Sequence, residues 1–422
     1  MGRMTPRAAI AALVVVAACG GDDRAADAPS GPYARMVADA VPKIEKAVGL
    51  TFKTPPKVEK RSKDEVRQFL ENKFNEESPA REIASLERAY KRLGMLPDSL
   101  ALRTFMLELL AEQVVGYYDP ATKILYIVDG APNEMISVTV GHELIHALQD
   151  QYLDLDSIQK IEGDNDRQVA AQSVIEGQAT YEQLQAMMGG GNIATQLPGG
   201  WDRMREVIRE SQSSMPIFAG APTLIQETLI FPYLSGAEFI RRFEGQRPGT
   251  VPFGDMPQST EQVLHESSYF GTRDTPTAVV LPPLDGATLV YQNNLGEFET
   301  RLFLFQHLQD QAAAARGAAG WDGDRYALFS TNGGEGVAWI TTWDSAVDSG
   351  EFFDLMDTAI SKRFPGARPV ASTVTTRTYS AGTRQLALTA SEVMGRPVVL
   401  FVDAPAGARV DVLDVGKVQL RD

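Results

Sequence analysis

The chain has 422 residues, of which 44% are hydrophobic and 23% are charged, values typical of a globular protein rather than of a disordered or coiled-coil chain. Its 55 acidic and 40 basic residues give a net charge of −15, and no segment is rich in lysine and arginine, so the sequence indicates no nucleic-acid partner. The single cysteine, Cys19, excludes both an intramolecular disulfide and a cysteine-rich zinc finger.

The first 32 residues are organised as a targeting segment. Two arginines precede the apolar run Ala8–Ala18, which is too short to cross a bilayer as a helix. The small residues before Cys19 resemble a bacterial lipobox, in which the cysteine is lipidated and becomes the mature N-terminus. We therefore expect a lipoprotein signal peptide over residues 1–18, followed by lipidated Cys19 and a flexible polar tether over 19–32. The alternative is an ordinary cleaved signal peptide in which this cysteine occurs by chance.

The remainder of the sequence has no apolar run of 18 residues. The sequence therefore predicts attachment to a membrane through the N-terminal lipid, without a membrane-spanning helix. We expect the chain at the bacterial cell envelope, facing the periplasm or the exterior. The sequence does not indicate an oligomeric state.

Residues 33–113 have the pattern of consecutive helices. Ser62 and Glu65 fit a capping box at the start of one helix, because each side chain can accept a hydrogen bond from the other residue's backbone N–H. After these helices, residues 114–118 and 124–128 are rich in β-branched and aromatic side chains and flank an Asp-Pro turn. This pattern predicts a β-hairpin.

Two helices are predicted after the hairpin, at about 134–152 and 166–188, and an acidic polar loop joins them. The Gly-rich stretch 189–200 lacks the lysine and the strand–loop–helix context of a P-loop, so we do not expect it to bind phosphate. A helical segment at about 201–245 and a Pro/Gly-rich stretch to about residue 290 follow.

The C-terminal part combines helices with strands. The predicted helices lie at about 297–315 and 345–362. The predicted strands lie at about 325–330, 336–343, 371–379, 385–392 and 397–403. The complete pattern predicts an α+β protein, with a helix-rich domain over 33–290 and a C-terminal α+β region over 291–422.

The helix predicted at 134–152 carries an H-E-x-x-H sequence, formed by His142, Glu143 and His146. Residues i and i+4 share one face of a helix, so both histidines can direct a ring nitrogen at one metal ion. Glu143 projects about 100° away from His142, beside the metal position. Zinc bound in this way lowers the pKa of water towards about 7, and a neighbouring carboxylate can take the proton. The sequence therefore indicates a catalytic Zn²⁺ site in which Glu143 is the general base.

A catalytic zinc needs a third protein ligand, and Glu176 on the following predicted helix is the best candidate. It lies 30 residues after His146, and its neighbour Gly177 allows close approach of another helix. The alternative spacing H-E-x-x-H-x-x-G-x-x-H is absent. The competing acids in this interval are Glu162, Asp164, Asp166 and Glu182. We expect the first three to lie in a solvated loop and the fourth to point away from the metal.

The H-E-x-x-H helix followed by a glutamate on the next helix resembles the gluzincin class of zinc metallopeptidases. More narrowly, about residues 90–345 resemble a little-characterised family of bacterial secreted or lipid-anchored zinc metallopeptidase-like proteins. The segments that carry this narrower resemblance are Glu112–Pro120, His142–Gln151, Ile175–Ala179, Phe231–Tyr233, Ser259–His265, Gly320–Trp321 and Gly323–Tyr326. The resemblance implies bound zinc and a zincin-like metallopeptidase fold, and it implies no particular substrate.

In gluzincins, a strand beside the active-site helix pairs with the extended substrate. The resemblance implies that residues 124–128 form such an edge strand and add a substrate peptide to the sheet. The alternative is a plain hairpin strand.

Hydrogen-bond donors to the oxyanion are a further requirement of peptide hydrolysis. His265 is a candidate for this role, and the alternative is a histidine whose hydrogen bonds serve the core or a helix cap. Tyr117, Tyr118 and Tyr233 are further candidates for the same role.

Two other polar residues have structural alternatives. Asp150, one turn after His146, is either a partner that orients a ligand imidazole or an acid at a solvated helix end. His307 lies within a predicted helix and is expected to be structural. Serine or cysteine catalysis has little support, because Cys19 belongs to the lipobox and no G-x-S-x-G sequence is present.

These features predict a membrane-anchored zinc metallopeptidase that hydrolyses peptide bonds in a peptide or protein substrate. His142, His146 and Glu176 would hold zinc, and Glu143 would act first as general base and then as proton donor to the leaving amine. The alternative is a non-catalytic zinc-binding scaffold, or an envelope lipoprotein whose C-terminal region binds a partner. Glu143 favours the peptidase, because a structural zinc needs no base and prefers four protein ligands.

Overall fold

The computed structural model describes residues 32–421, apart from residues 76, 156–157, 159–160, 188–202, 204–205, 208 and 211–213. The predicted signal peptide, the lipidation site Cys19 and the Gly-rich stretch 189–200 lie outside the described residues. Within the described ranges, none of the helices combines the length and the apolar character that a bilayer crossing requires.

The N-terminal part is helical, as predicted, apart from one strand. Its elements are α1 (Ala34–Val48), β1 (Lys57–Arg61), α2 (Lys63–Asn75), α3 (Glu77–Leu93) and α4 (Leu102–Gln113). The predicted capping box of α2 is confirmed: Ser62 N donates to Glu65 Oε2 at 2.7 Å, and Glu65 N donates to Ser62 Oγ at 3.2 Å. The sequence did not reveal β1, because its residues are charged except for Val58, which alone is buried.

The predicted hairpin is confirmed. β2 (Gly116–Asp119) pairs antiparallel with β3 (Ile124–Val128), and Lys123 adopts a left-handed conformation in the turn between them. β1 pairs in parallel with the other side of β3, so the strand order is β1-β3-β2. The expectation that residues 124–128 form an edge strand for substrate is therefore wrong. β3 is central, and the edge on the hairpin side is β2.

The two helices predicted after the hairpin are confirmed as α5 (Asn133–Asp150) and α6 (Asn165–Met187). They are followed by the short helix α7 (Pro216–Ala219) and the long helix α8 (Thr223–Gln246). Val140 and Leu144 of α5 are buried in one cluster with Leu125 of β3, so α5 lies on the three-stranded sheet.

Helices α6 and α8 approach each other backbone to backbone. A Cβ atom at Gly177 would lie 2.2 Å from the carbonyl carbon of Gly236, a distance that no side chain tolerates. The close approach that the sequence indicated at Gly177 is thus present, and its partner is α8. Because of it, α8 runs directly beside the helix that carries Glu176.

The C-terminal part contains a large sheet. Before it lie α9 (Thr260–Leu264), α10 (Glu266–Phe270) and β4 (Ala278–Val280). The sheet and its helices are β5 (Thr288–Asn293), α11 (Gly296–Leu308), α12 (Gln311–Ala318), β6 (Trp321–Thr331), β7 (Gly334–Trp343), α13 (Ala346–Arg363), β8 (Arg368–Ser372), β9 (Thr376–Ala381), β10 (Arg384–Val393) and β11 (Arg396–Pro405). The sheet is antiparallel, with the order β5-β6-β7-β11-β10-β9-β8, and β12 (Gln419–Arg421) pairs with β4.

Two predicted C-terminal elements are each divided in the structure. The strand predicted at 371–379 is two strands, β8 and β9, which form a hairpin. The helix predicted at 297–315 is α11 followed by α12, because Gln309 takes a left-handed conformation with a φ of 56° and ends α11.

The helical part and the large sheet share one hydrophobic core. Leu86 of α3, Leu229 of α8, Phe303 of α11 and Trp339 of β7 all belong to the same buried cluster. The predicted α+β class is confirmed. The sheet begins with β5 at Thr288, slightly before the boundary expected at residue 291.

Candidate metal centre

Two histidines of α5 and a glutamate of α6 converge on one point. His142 Nε2 lies 3.1 Å from His146 Nε2, and Glu176 Oε2 lies 3.2 and 3.3 Å from these two nitrogens. In a triangle of this size each corner is about 1.9 Å from the centre, so an ion about 1 Å out of the plane lies about 2.1 Å from all three atoms. Zinc binds nitrogen and oxygen ligands at about 2.0–2.2 Å, so the donor set fits zinc.

The charges of these side chains attract one another. Burial opposes ionisation of Glu176, but the charge of His146 and the hydrogen bonds from both histidines lower its pKa to about 2. Burial likewise opposes a charge on His146, but the Glu176 carboxylate raises the pKa of this histidine to about 9. The centre therefore holds an anionic carboxylate against a ring that takes up a proton readily, and a metal ion would replace that proton.

Gln149 fixes the orientation of His146. Its Oε1 lies 2.8 Å from His146 Nδ1, and its Nε2 donates to Ile175 O at 3.1 Å and to Gln178 Oε1 at 2.9 Å. The NH₂ group of Gln149 already donates both of its hydrogens, so the atom that faces His146 is the amide oxygen, which can only accept. His146 Nδ1 must therefore carry the hydrogen of this hydrogen bond. This tautomer leaves Nε2 free as a ligand.

The sequence had offered Asp150 as the residue that orients a histidine ring, but in the structure Asp150 has other hydrogen-bond partners. Its Oδ2 accepts from Tyr118 Oη at 2.8 Å and from Lys123 Nζ at 2.6 Å. Asp150 therefore joins α5 to the β2–β3 hairpin. A sequence signal for Gln149 existed, because a residue three positions after His146 lies close to it on the helix surface.

Glu143 lies beside the three ligands and is held by the edge strand. Its Oε2 accepts a hydrogen bond from Tyr118 N of β2 at 2.8 Å. Burial raises the pKa of Glu143, and the Glu176 charge adds to this, while His146 and His142 oppose it. The carboxylate is thus positioned next to the metal ligands, with a proton affinity higher than that of a solvated glutamate.

Tyr233 of α8 completes the centre. Its ring stacks on that of His142 with the centroids 5.9 Å apart, and the charge of Glu176 acts on its hydroxyl. Burial raises the pKa of Tyr233 well above its usual value, and the charges of Glu176 and Glu143 add to this. The hydroxyl therefore stays protonated and is available as a hydrogen-bond donor.

The structure does not bring His265 to the metal centre. Its Nε2 lies 2.8 Å from Glu297 Oε1, and its side chain is 45% exposed. It follows α9, and Thr260 at the start of α9 is bonded to Asp166 in the first turn of α6. That turn is ten residues, or about 15 Å, from Glu176 along the helix.

The other tyrosines and His307 also have defined places. The hydroxyl of Tyr117 is bonded to the guanidinium of Arg61, on the β1 side of the hairpin. Tyr118 contributes its backbone N–H to the centre, while its hydroxyl binds Asp150. His307 Nε2 lies 3.1 Å from Leu93 O between α11 and α3, as expected for a structural histidine.

Two acids that competed with Glu176 are buried elsewhere. Glu182 lies near Glu244 of α8, and burial together with that carboxylate raises the pKa of Glu182. Asp166 had been expected in a solvated loop, and this expectation is wrong. It lies in the first turn of α6, is 1% exposed, and accepts a hydrogen bond from Thr260 N at 3.0 Å.

A cleft of about 360 Å³ opens onto His142, Glu143 and Tyr233. One side is formed by the end of α4 and the beginning of β2. The apolar side chains that line the cleft include Leu110, Val114, Val115, Met135, Val138 and Leu229. Of the three candidate ligands, His142 lines this cleft, while His146 and Glu176 are buried behind it. The candidate metal centre therefore has an open, largely apolar side at His142, and an open side is what a catalytic metal needs.

Comparison with known proteins gives a match to a family of unknown function. The family model described as "Domain of unknown function (DUF8575)" matches residues 287–414, which contain the whole of the large sheet and helices α11, α12 and α13. No curated protein matches the chain, and no solved structure matches it. The match does not include the residues of the metal centre.

Proposed function

We propose that this protein is a zinc-dependent metallopeptidase of the gluzincin type that hydrolyses peptide bonds. The observation that carries the proposal is the convergence of His142, His146 and Glu176 beside Glu143, with His142 and Glu143 lining an open cleft. These three side chains would hold the zinc. When bound, zinc supplies a Lewis acid that makes water more acidic and polarises the scissile carbonyl.

Glu143 moves the proton in the proposed reaction. Its carboxylate takes a proton from the attacking water as the oxygen bonds to the carbonyl carbon, and later gives that proton to the leaving amine as the C–N bond breaks. The raised pKa of Glu143 suits both steps, because a base that is too weak would not take the proton. The hydrogen bond from Tyr118 N keeps the carboxylate beside the ligands.

Tyr233 is the proposed donor to the oxyanion that develops on the carbonyl oxygen. Its ring stacks on His142, and its hydroxyl remains protonated at neutral pH because burial raises its pKa. A fixed donor of this kind stabilises the charge that appears in the transition state. The sequence had offered His265 first for this role, with Tyr233 among the further candidates.

The edge strand β2 is the proposed docking strand for the substrate backbone. In the register with β3, Tyr117 and Asp119 face their partner strand, so the backbone groups of Gly116 and Tyr118 point outward. Tyr118 N is used by Glu143, which leaves the carbonyl groups and Gly116 N–H for an extended peptide. The apolar lining of the cleft favours substrates with an apolar side chain next to the scissile bond.

The proposed location is the cell envelope, through a lipid on Cys19. Support comes from the sequence alone, in which small residues and an apolar run precede this cysteine. Replacement of Cys19 by serine is expected to move the protein from the membrane fraction to the soluble fraction. Unchanged membrane association of that variant would exclude lipidation at this position.

The alternative is a scaffold lipoprotein that keeps zinc for structure. The discriminating experiment compares wild type with Glu143→Ala in the hydrolysis of denatured casein, with the zinc content of each protein measured. The peptidase predicts one zinc per chain in both proteins and a rate at least about 10²–10⁴-fold lower in the variant. Equal rates would refute the assigned base, and absence of hydrolysis by both zinc-loaded proteins would favour the scaffold.

A further inference from the structure

Three carboxylates from separate segments meet near the junction of the helical part and the large sheet. They belong to Glu261 of α9, Asp274 in the loop after α10, and Asp344, which follows β7. One oxygen from each lies within 4.8 Å of the other two. Glu261 is buried and Asp344 is exposed, so the cluster extends from the interior to solvent.

The buried member of this cluster has no donor to balance its charge. Glu261 is 4% exposed, and among the residues that the structure describes none donates a hydrogen bond or forms an ion pair with its carboxylate. Burial of a carboxylate without such a partner is unfavourable. Because Asp274 and Asp344 lie beside it, the negative charge that would need a positive partner is larger still.

Within the described ranges, a fourth carboxylate nearby also lacks a hydrogen-bond donor at one of its oxygens. Glu297, at the start of α11, binds His265 through Oε1, but its Oε2 is buried and has no hydrogen-bond partner in the described part of the chain. The Glu297 charge acts on both Glu261 and Asp344. The nearby Arg396 is held by Asp322 at 2.6 Å and is also bonded to Thr277, and its charge acts on Asp274 of the cluster.

The neighbouring negative charges raise the pKa values of Glu261 and Asp344. Burial and then the charges of Glu297, Asp274 and Asp344 raise the pKa of Glu261 to about 10. Burial and then the charge of Asp274 raise the pKa of Asp344 to about 6. Groups in this position attract either a proton or a cation, and only a divalent cation can balance several of them at once.

We propose that Glu261, Asp274 and Asp344 bind one Ca²⁺ ion, with Glu297 as an adjacent carboxylate. All the donors are oxygen atoms, which suits a hard cation and does not suit zinc. Mg²⁺ usually takes only one or two carboxylates and keeps its waters, whereas Ca²⁺ accepts six to eight oxygens in flexible geometry. The exposed side, at Asp344, provides the entry path and room for water ligands.

The position of the site suggests what the ion does. Glu261 follows Thr260, which is bonded to Asp166 in the first turn of α6. Asp344 directly follows β7 of the large sheet. Calcium would therefore tie the helix that carries the third zinc ligand to the sheet. This site is separate from the metal centre, and the inference does not rest on the proposed peptidase activity.

The test is calorimetric titration of the full-length, zinc-loaded protein with CaCl₂, together with thermal unfolding. We expect one Ca²⁺ per chain, with a Kd of about 10⁻³ M or tighter, and weaker binding of MgCl₂. At free calcium 100-fold above Kd, Tm is expected to rise by about 3–5 °C. Glu261→Gln should weaken calcium binding at least about 10-fold, and without calcium this variant should be about as stable as wild type, because the raised pKa of Glu261 already keeps its carboxyl group neutral at pH 7.

Glu351→Gln is the matched control, because Glu351 is an exposed residue of α13 outside the cluster. It should bind calcium as wild type does. If Glu261→Gln does not fold, Asp344→Asn replaces it, since Asp344 is exposed. The proposal is overturned if wild type shows neither heat nor a change in Tm up to about 10 mM CaCl₂. It is also overturned if a folded variant of the cluster binds calcium as tightly as wild type.

Discussion

Replacement of Gln149 by leucine probes how the metal centre is held. Leucine is similar in length to glutamine but offers no acceptor to His146 Nδ1, whose contact with Gln149 Oε1 is 2.8 Å long. Without that acceptor, the neutral ring of His146 can carry its hydrogen on Nε2, the atom that should bind zinc. Zinc binding would then require His146 to change its tautomer, and it would have to fix the orientation of a ring that Gln149 no longer holds.

The expected size of the effect follows from the lost contacts. Partners that orient a ligand histidine account for about 10–100-fold in metal affinity, or about 1.4–2.7 kcal/mol. Gln149 also donates to Ile175 O and Gln178 Oε1, and both acceptors would be left without this donor in the interior. The free energy of unfolding of the zinc-free protein should fall by about 1–3 kcal/mol for each.

Zinc affinity is measured by competition with a chromophoric chelator at neutral pH, and stability by urea unfolding of the zinc-free protein. The matched control is Asp150→Asn, because Asp150 binds Tyr118 and Lys123 and does not contact His146. We expect its zinc affinity to stay within about threefold of wild type. Wild-type zinc affinity in Gln149→Leu, or a larger loss in Asp150→Asn, would refute the assignment of Gln149.

Three further predictions address the third ligand, the oxyanion donor and a buried histidine. Glu176→Gln should weaken zinc binding far more than Glu182→Gln, because Glu176 Oε2 lies 3.2 and 3.3 Å from the two histidine nitrogens; equal affinities in a chelator competition would place the third ligand elsewhere. Tyr233→Phe should lower kcat by about 10²-fold while zinc content and KM change little, and an unchanged kcat would exclude this hydroxyl as the donor. Burial and then the charge of Arg363 lower the pKa of His307 to about 4, below its unfolded value of about 6.5. The neutral His307 therefore adds to the free energy of unfolding in full above pH 6.5, and this contribution is lost as the pH falls towards 4. His307→Gln should therefore reduce the difference in unfolding free energy between pH 7 and pH 4.5 by at most about 3 kcal/mol, and an unchanged difference would contradict the shift.

The elements that local sequence signals define could be predicted. The capping box at Ser62 and Glu65, the hairpin around Asp119-Pro120 and the helix with the H-E-x-x-H sequence each depend on residues a few positions apart. Helical spacing alone is enough to place His142 and His146 on one face. The predicted α+β class followed from the alternation of these local patterns.

Features that depend on distant packing were missed. β1 is charged, and its place beside β3 is set by pairing across more than sixty residues of chain. The sequence named Tyr233 as one of several candidates but could not place it, because the contact of α6 with α8 at Gly177 and Gly236 follows from no local pattern. His265 was favoured because histidine is a good donor, but α9 is attached to the far end of α6.

The central claim is that the metal centre hydrolyses peptide bonds, and peptide-library cleavage followed by mass spectrometry tests it most directly. The zinc-loaded protein is incubated with the library, and Glu143→Ala with the same zinc content is the control. We predict cleavage by wild type alone, with an apolar residue preferred next to the scissile bond because the cleft is apolar. Cleavage of equal extent and pattern by both proteins, or no cleavage by a wild-type protein that binds one zinc per chain, would contradict the account.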